Sequence, residues 1–579
     1  MNDKSLKVFL VFCVLISILI GRLFYLQVFH YTEFSEQAIN VKSKTTPELA
    51  PRGVIFDRNH KVLANSRPYF SLYVLGDRME RPAETFQILK RLQLIDLKNW
   101  QVILDNVAKN SIEPQLVAAD LDSALVSAIE ELQTKHPELS LNIKHLRFYP
   151  SFDTGAHLLG YVGEITLKQL MQNPNSRYRV GDIIGLSGIE KYYDAVLRGK
   201  NGGTQIEVNA LGKPVRRLER LASVPGNDIE LTIDLDLQKK ATELLKGEAG
   251  AVVALDPLTG EVLALVSAPG FDPNIFIDPR KSQNWQSLIG ENFPLHNRAL
   301  TAFPPGSVFK VVTTMTALEQ GVNTPSTQFN CTGSVFWGRR EFKCDLHSGH
   351  GPINFVNGFI KSCNTVFYRT GLKLSPDQMA STAAYFFLGK PSRIDLPGED
   401  KGTIPNSSWK LKRTGEGWVP GDSMNMAIGQ GFIQTTPLQI ALMTSALVNP
   451  DNIMYQPRLL KKVINPDSEI SFDAKRALTK LPFSRKNINL VKEWMRQVVL
   501  KGTGVNANIP EIAIAGKTGT AEDPPRPNPH AWFTSFAPAE NPQIVVTVFV
   551  QGGGHGGVKA AAIAREIIKT WDAKRRAKS

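Results

Sequence analysis

The stretch Phe303–Lys310 reads FPPGSVFK and sets a serine three residues ahead of a lysine, directly after two prolines. Pro304 and Pro305 fix backbone angles suited to a helix start, so Ser307 and Lys310 fall on its first turn. Residues three apart on a helix share a face, which lets the Ser307 hydroxyl and the Lys310 amine meet. A serine hydroxyl is a weak nucleophile until a base takes its proton. A lysine becomes that base when burial and a neighbouring cation depress its pKa. The same letters also spell an ordinary helix N-terminus, so the rest of the chain has to decide.

Two more short motifs follow in order, Ser362-Cys363-Asn364 and Lys517-Thr518-Gly519-Thr520. Ser-x-x-Lys, Ser-x-Asn and Lys-Thr-Gly form the signature set of penicillin-binding proteins and serine β-lactamases; each is weak alone, and the ordered set is specific. The chemistry assigns each a task. Lys517 supplies the cation that holds the ammonium form of Lys310 in check. Ser362 bridges the two lysines and relays a proton to a leaving amine. The Asn364 side chain offers a donor and an acceptor to a substrate amide. Gly519 lets a substrate backbone approach the strand edge, and the Thr518 and Thr520 hydroxyls hold a substrate carboxylate. Backbone N–H groups of Ser307 and Thr520 are the natural oxyanion donors.

The flanking sequence predicts the sheet that carries these motifs. LTIDLDLQKKATELL (231–245) is a strand and an amphipathic helix, and AGAVVALDPLTGEVLALVSAP (249–269) is a hairpin turning at Asp-Pro-Leu-Thr-Gly. AIAGKTGTAE, HAWFTSFAPA and QIVVTVFVQG are three late strands, and residues 555–576 form a terminal helix. Two early strands and three late ones predict one antiparallel sheet, with the first and last helices on one face and the middle segment on the other. Upstream, residues 68–235 mix short strands with helices such as ETFQILKRLQL and DLDSALVSAIEELQTK, an elongated α+β module without a catalytic cluster.

The N-terminus is apolar from Val8 to Phe29 apart from Ser17, Arg22 and Gln27. At ~1.5 Å per residue that run covers roughly 33 Å, enough to cross a bilayer. Lys4 and Lys7 precede it, which keeps that end cytoplasmic, and no Ala-x-Ala cleavage site follows. The expected layout is a cytoplasmic tail at 1–7, a transmembrane anchor at 8–29, a pedestal at 30–235 opening on an amphipathic or extended linker over 30–50, and a catalytic domain at 236–579. Hydrophobic content of 42% with 21% charged residues excludes a disordered chain. The basic residues behind the net charge of +13 are spread along the chain, cluster only at the tail (Lys574, Arg575, Arg576, Lys578) and come without a nucleic-acid-binding signature, so the expected partner is an anionic membrane or wall polymer and not nucleic acid.

The whole pattern resembles a class B penicillin-binding protein, a peptidoglycan D,D-transpeptidase. The residues carrying the resemblance are the anchor, PRGVIFDRN (51–59), GLSGIEKYYD (185–194), PPGSVFK, the AIGQG run Ala427–Gly431 and KTGT; the family often has Gly where Ala427 stands. SGHGPINFVNGFIKSCNTVFYRTG (348–371) resembles the elongation branch, penicillin-binding protein 2, more than the division branch. The resemblance implies a single anchor in the bacterial inner membrane with the catalytic domain in the periplasm. It implies that Ser307 attacks the D-Ala-D-Ala end of one stem peptide, that an amine of a neighbouring stem resolves the acyl-enzyme, and that β-lactams acylate Ser307. A carboxypeptidase side activity and partnership with a RodA-type polytopic glycosyltransferase and the rod-shape complex follow from it too. No cofactor is implied for catalysis. The rivals are a division-type transpeptidase, a β-lactamase, a β-lactam sensor and an inactive scaffold. The long pedestal and the absence of a recognisable Glu-x-x-x-Asn loop weigh against a β-lactamase, the few residues ahead of the span weigh against a sensor, and the three intact motifs weigh against a scaffold.

Three cysteines follow the anchor cysteine Cys13. Cys331-x12-Cys344-x5-His350-x12-Cys363 offers a Cys3His set suited to a structural zinc ion. A Cys331–Cys344 disulfide with a leftover thiol, or three free thiols, fits the same letters, and His347 is a rival ligand. Cys363 is the middle residue of the second motif, so a metal there would pin Ser362 and Asn364.

Overall fold

The computed structural model describes residues 3–29, 43–111, 113–172, 178–208, 214–277, 288–289, 293–465, 468–472 and 474–578. The apolar N-terminal run forms the helix Asp3–Phe24, extended by one wider turn to Phe29. Its segment Phe9–Phe29 has a mean hydropathy of 2.5 and is long and apolar enough to cross a membrane. Most of the linker predicted for 30–50 (residues 30–42) and the first two residues of the predicted tail lie outside the described residues.

Beyond the anchor the chain forms two compact units, one of residues 69–145 and 198–226 with the N-terminal 51 residues, the other of 52–68, 146–197 and 227–579. In the first, helices Pro82–Arg91, Leu97–Lys109 and Ser123–Gln133 present Phe86, Leu89, Trp100, Ile103, Val126 and Ile129 to a core shared with Leu72 and Val74. The Asp96 and Asp122 carboxylates start the second and third helices by accepting from Asn99 N and Leu125 N. Strands Ser43–Glu48, Gly202–Val208 and Pro214–Leu221 form an antiparallel sheet of their own.

The second unit is built on a five-stranded antiparallel sheet in the order Val262–Ala268, Gly250–Leu255, Ile544–Val550, His530–Ala537, Ala515–Ala521. Both faces are covered, so strands Gly250–Leu255, Val262–Ala268 and Ile544–Val550 are largely apolar, yet the period of two persists. Val252, Ala254, Val546 and Val548 pack with Leu237 and Ala241 of helix Leu235–Leu244 and with Ala564 and Ile567 of helix Lys559–Lys578. Ala251, Val253, Leu255, Val545 and Phe549 face the opposite core, with Val312, Met315, Ile440 and Leu442 from the middle helices. This is the arrangement predicted from two early and three late strands. The basic tail is internally satisfied: Lys574 bonds Asp234 and Asp236, and Arg575 and Arg576 bond Asp572.

Away from that sheet, the same unit contains a buried ionic knot. Glu190, fully buried, accepts from Arg147 Nε on one oxygen and from Arg52 Nε at 3.1 Å on the other. Arg52 also donates to Asp194 at 2.8 Å, and Arg147 to Gly53 O at 2.7 Å. Arg52, second residue of the PRGVIFDRN stretch, is thus a salt-bridge residue. Replacing Glu190 with leucine takes from the buried Arg147 its carboxylate partner and leaves the buried Arg52 with Asp194. The expected loss is about 3–5 kcal/mol of stability, read as a lowered urea midpoint of the intact chain; a shift worth under ~1 kcal/mol would contradict this account.

Candidate active site

Ser307 lies on a single tight turn, Gly306–Phe309, that runs straight into helix Lys310–Glu319. Gly306 has φ +55°, and a Cβ there would come within 2.5 Å of Thr520 O, so only glycine lets the nucleophile turn press against the third-motif strand. Gly306 N donates to Gly429 O at 2.9 Å, which gives the Ala427–Gly431 run its purpose as the backing of that turn. Trp532, fully buried, donates from Nε1 to Pro304 O at 2.9 Å and holds the turn from the sheet side.

The second motif sits where two short helices meet. Cys363 is the N-cap of helix Asn364–Gly371, and Ser362 before it takes a left-handed backbone, φ +55°. Such a conformation costs a non-glycine residue about 1–3 kcal/mol and persists where the surroundings impose it. Both its carbonyl and its hydroxyl lie in reach of Lys310: Lys310 Nζ donates to Ser362 O at 2.8 Å and to Asn364 Oδ1 at 2.7 Å, and lies 3.3 Å from Ser362 Oγ. Lys517 Nζ reaches the same hydroxyl at 3.0 Å and also donates to Thr518 O. Ser362 thus bridges the two lysines. Ser307 Oγ has no hydrogen-bond partner among the described residues; it opens into a cleft of about 930 Å³ lined also by Ser362, Asn364, Thr518 and Thr520. The Lys310 side chain leans toward Ser362 and Asn364, where the helix geometry alone had paired it with Ser307.

Lys310 and Lys517 are completely buried. Burial lowers Lys310 to about 8, against a pull upward from Cys363, Cys344 and Asp345. Burial also holds Lys517 well below the ordinary lysine value, and repulsion from Lys310 lowers it further. The expected depressing effect of Lys517 on Lys310 is replaced by desolvation. A neutral Lys310 has two N–H groups, matched by the two acceptors Ser362 O and Asn364 Oδ1, and its lone pair is then free to take a proton.

Gly519 differs from its reading. It lies on the edge strand Ala515–Ala521, but a Cβ there would sit 2.9 Å from Pro305 O and Trp532 Cβ, so its bareness admits the nucleophile turn. His530 is buried between Asp523, 3.0 Å from its Nε2, and Gly552 N, which donates to its Nδ1, and stays out of the cleft. His555, which reads as a solvated loop residue, lines the cleft, as do Thr503 and Tyr368. Thr503 Oγ1 is 2.5 Å from Thr518 Oγ1. No motif flags these three; Tyr368 alone carries a signal, sitting one helical turn beyond Asn364.

Beside the second motif, Cys331, Cys344, His350 and Cys363 bring their donor atoms within 4.8 Å of one another. The cysteines are unbridged, so the Cys331–Cys344 disulfide is not formed. His350 Nδ1 lies 3.6 Å from Cys331 Sγ and 3.7 Å from Cys344 Sγ, and the Cys344 and Cys363 sulfurs are 3.8 Å apart. A zinc ion bound at about 2.3 Å to sulfur and about 2.1 Å to nitrogen has tetrahedral edges of roughly 3.8 and 3.6 Å, which these three separations match. A hydrogen bond from Cys363 and backbone N–H groups of Thr365, Leu346 and Asn364 hold the Cys344 thiol far down toward thiolate.

Residues 250–569 match the penicillin binding protein transpeptidase domain, and residues 47–231 match the penicillin-binding protein dimerisation domain. The chain is 31% identical to the peptidoglycan D,D-transpeptidase MrdA of Acinetobacter baumannii, over 97% of this chain and 86% of that one. It is 29% identical to MrdA of Escherichia coli, over 98% and 93%. Among solved structures, PBP2 of Helicobacter pylori in complex with MreC superposes with a TM-score of 0.75 at 27% identity, covering 92% of this chain and 99% of that one. A chain of a peptidoglycan synthase complex, described as coordinating polymerization and crosslinking, gives 0.76 at 30% identity and 98% of both chains.

Because Lys310 must be neutral to accept a proton, Ser307 acylation by a penicillin should rise about tenfold per pH unit below pH 8 and level off above it. Rates of covalent labelling from pH 6 to 10 check this; a flat profile across pH 8 would remove Lys310 as the base.

Proposed function

The chain belongs to the penicillin-binding protein transpeptidase family, and on that premise we propose how its residues carry out the reaction. The protein is a peptidoglycan D,D-transpeptidase of the elongation type, a serine enzyme acting on D-Ala-D-Ala stem peptides. In the proposed reaction Ser307 Oγ attacks the carbonyl of the penultimate D-Ala as its proton passes to Lys310. The N–H groups of Ser307 and Thr520 receive the oxyanion. Breakdown returns a proton through Ser362, between Lys310 and Lys517, to the leaving D-Ala amine. An amine of a second stem peptide then attacks the acyl carbon, gives up its proton along the same path, and frees Ser307. Thr518 and Thr520 hold the terminal carboxylate, and Asn364 meets a substrate amide. The observation that carries the reading is the single Ser362 hydroxyl in contact with two fully buried lysines, in the cleft that Ser307 also lines.

We place the catalytic unit in the periplasm, anchored by the N-terminal span in the inner membrane, with Lys4 and Lys7 as the cytoplasmic flank. We also propose partnership with a RodA-type glycosyltransferase and the rod-shape complex; support comes from the relatives solved with MreC and within a synthase complex. Finally, we propose that Cys331, Cys344, His350 and Cys363 hold Zn²⁺, which would supply a rigid cross-link and no catalytic group.

Intact-mass measurement after penicillin treatment should show one covalent adduct on the wild type and none on Ser307→Ala; a label that survives the substitution overturns the assignment. Metal analysis of the purified chain should return about one zinc per molecule, with Cys363→Ser losing it and melting at lower temperature. A metal-free wild type that melts at the same temperature with and without chelator would remove the zinc.

A further inference from the structure

The hairpin Ser334–Trp337/Arg340–Lys343 leaves the neighbourhood of Cys331 and returns to Cys344, so its second strand ends beside the second motif. Arg340, Phe342 and Lys343 line the catalytic cleft. The Lys343 carbonyl there accepts two hydrogen bonds, from Tyr368 Oη at 3.1 Å and from Asn364 Nδ2 at 3.4 Å. Tyr368 is buried, lies four residues beyond Asn364 on the same helical face, and packs edge-on against Phe342 with ring centroids 5.6 Å apart.

The amide of Asn364 is therefore gripped at both ends. Its Oδ1 faces Lys310 Nζ at 2.7 Å, and one Nδ2 proton goes to Lys343 O. That leaves the second Nδ2 proton for a ligand in the cleft. The Asn364–Lys343 contact is long and weak by itself. What keeps the carbonyl in place is the shorter bond from Tyr368, whose ring is fixed by Phe342. Resting on the transpeptidase reading above, we propose that Tyr368 is a positioning residue: by holding the Lys343 carbonyl it sets the Asn364 amide for the substrate's own amide. Without it the carbonyl drifts, one Nδ2 proton loses its acceptor, and the amide no longer presents a single face.

The test uses two penicillins that differ at that amide. Benzylpenicillin carries an acylamino side chain; 6-aminopenicillanic acid has a bare amine in its place. Labelling rates of Ser307 are measured with both on the full-length wild type and on Tyr368→Phe, which keeps the ring packing. Benzylpenicillin should acylate the variant about five- to tenfold more slowly, the factor expected for one neutral hydrogen bond, while the rate with 6-aminopenicillanic acid stays within about twofold of the wild type. Equal slowing with both compounds, alone or with a lowered melting temperature, would make Tyr368 a packing residue and overturn the proposal, as would no slowing with either. Failure of the wild type to be labelled at Ser307 would instead sink the transpeptidase reading on which it stands.

Discussion

Two buried lysine amines share one serine hydroxyl at the wall of the cleft, and the rest of the catalytic unit is arranged around that constraint. Burying a charged amine costs several kcal/mol even after relaxation, so Lys310 and Lys517 persist only because each finds oxygen acceptors. Those acceptors come from two separate parts of the chain: the Ser362 carbonyl and hydroxyl together with the Asn364 side chain two residues on, and the strand carbonyl of Thr518. The same burial that makes the site expensive to fold gives Lys310 the basicity of a proton acceptor near neutral pH.

Bringing three segments this close requires backbone-to-backbone contact. Gly306, Gly429 and Gly519 each lie where a Cβ would strike the backbone of another segment, so the turn bearing Ser307 is clamped between the Ala427–Gly431 run and the edge strand. Among the described residues, Ala515–Ala521 closes one side of the sheet and pairs with His530–Ala537 alone. Lys310 and Lys517 thus sit on a helix and a strand, and Ser362, with its left-handed φ of +55°, lies between helices Phe355–Ile360 and Asn364–Gly371.

The cysteine–histidine cluster adds a fourth tie. It gathers the base of the cleft-lining hairpin and the middle residue of the second motif into one knot. Residues adjacent to two of its members, Lys343 next to Cys344 and Asn364 next to Cys363, are themselves hydrogen-bonded. Any rearrangement of the cluster would therefore reach the Asn364 amide through a single peptide unit on each side.

Much of this was legible in the letters. The ordered triplet at Ser307, Ser362 and Lys517, the apolar anchor, the two-plus-three strand pattern and the Cys3His spacing are all local in sequence, because side-chain type and short-range periodicity carry them. The direction in which Lys310 leans, the packing role of Gly519, the cleft positions of Thr503, His555 and Tyr368, and the choice of His350 over His347 were decided by contacts between residues tens to hundreds of positions apart. Helical spacing says which side chains share a face; only the packed neighbours say which oxygen a buried amine will find, since in a dry interior the nearest acceptor wins.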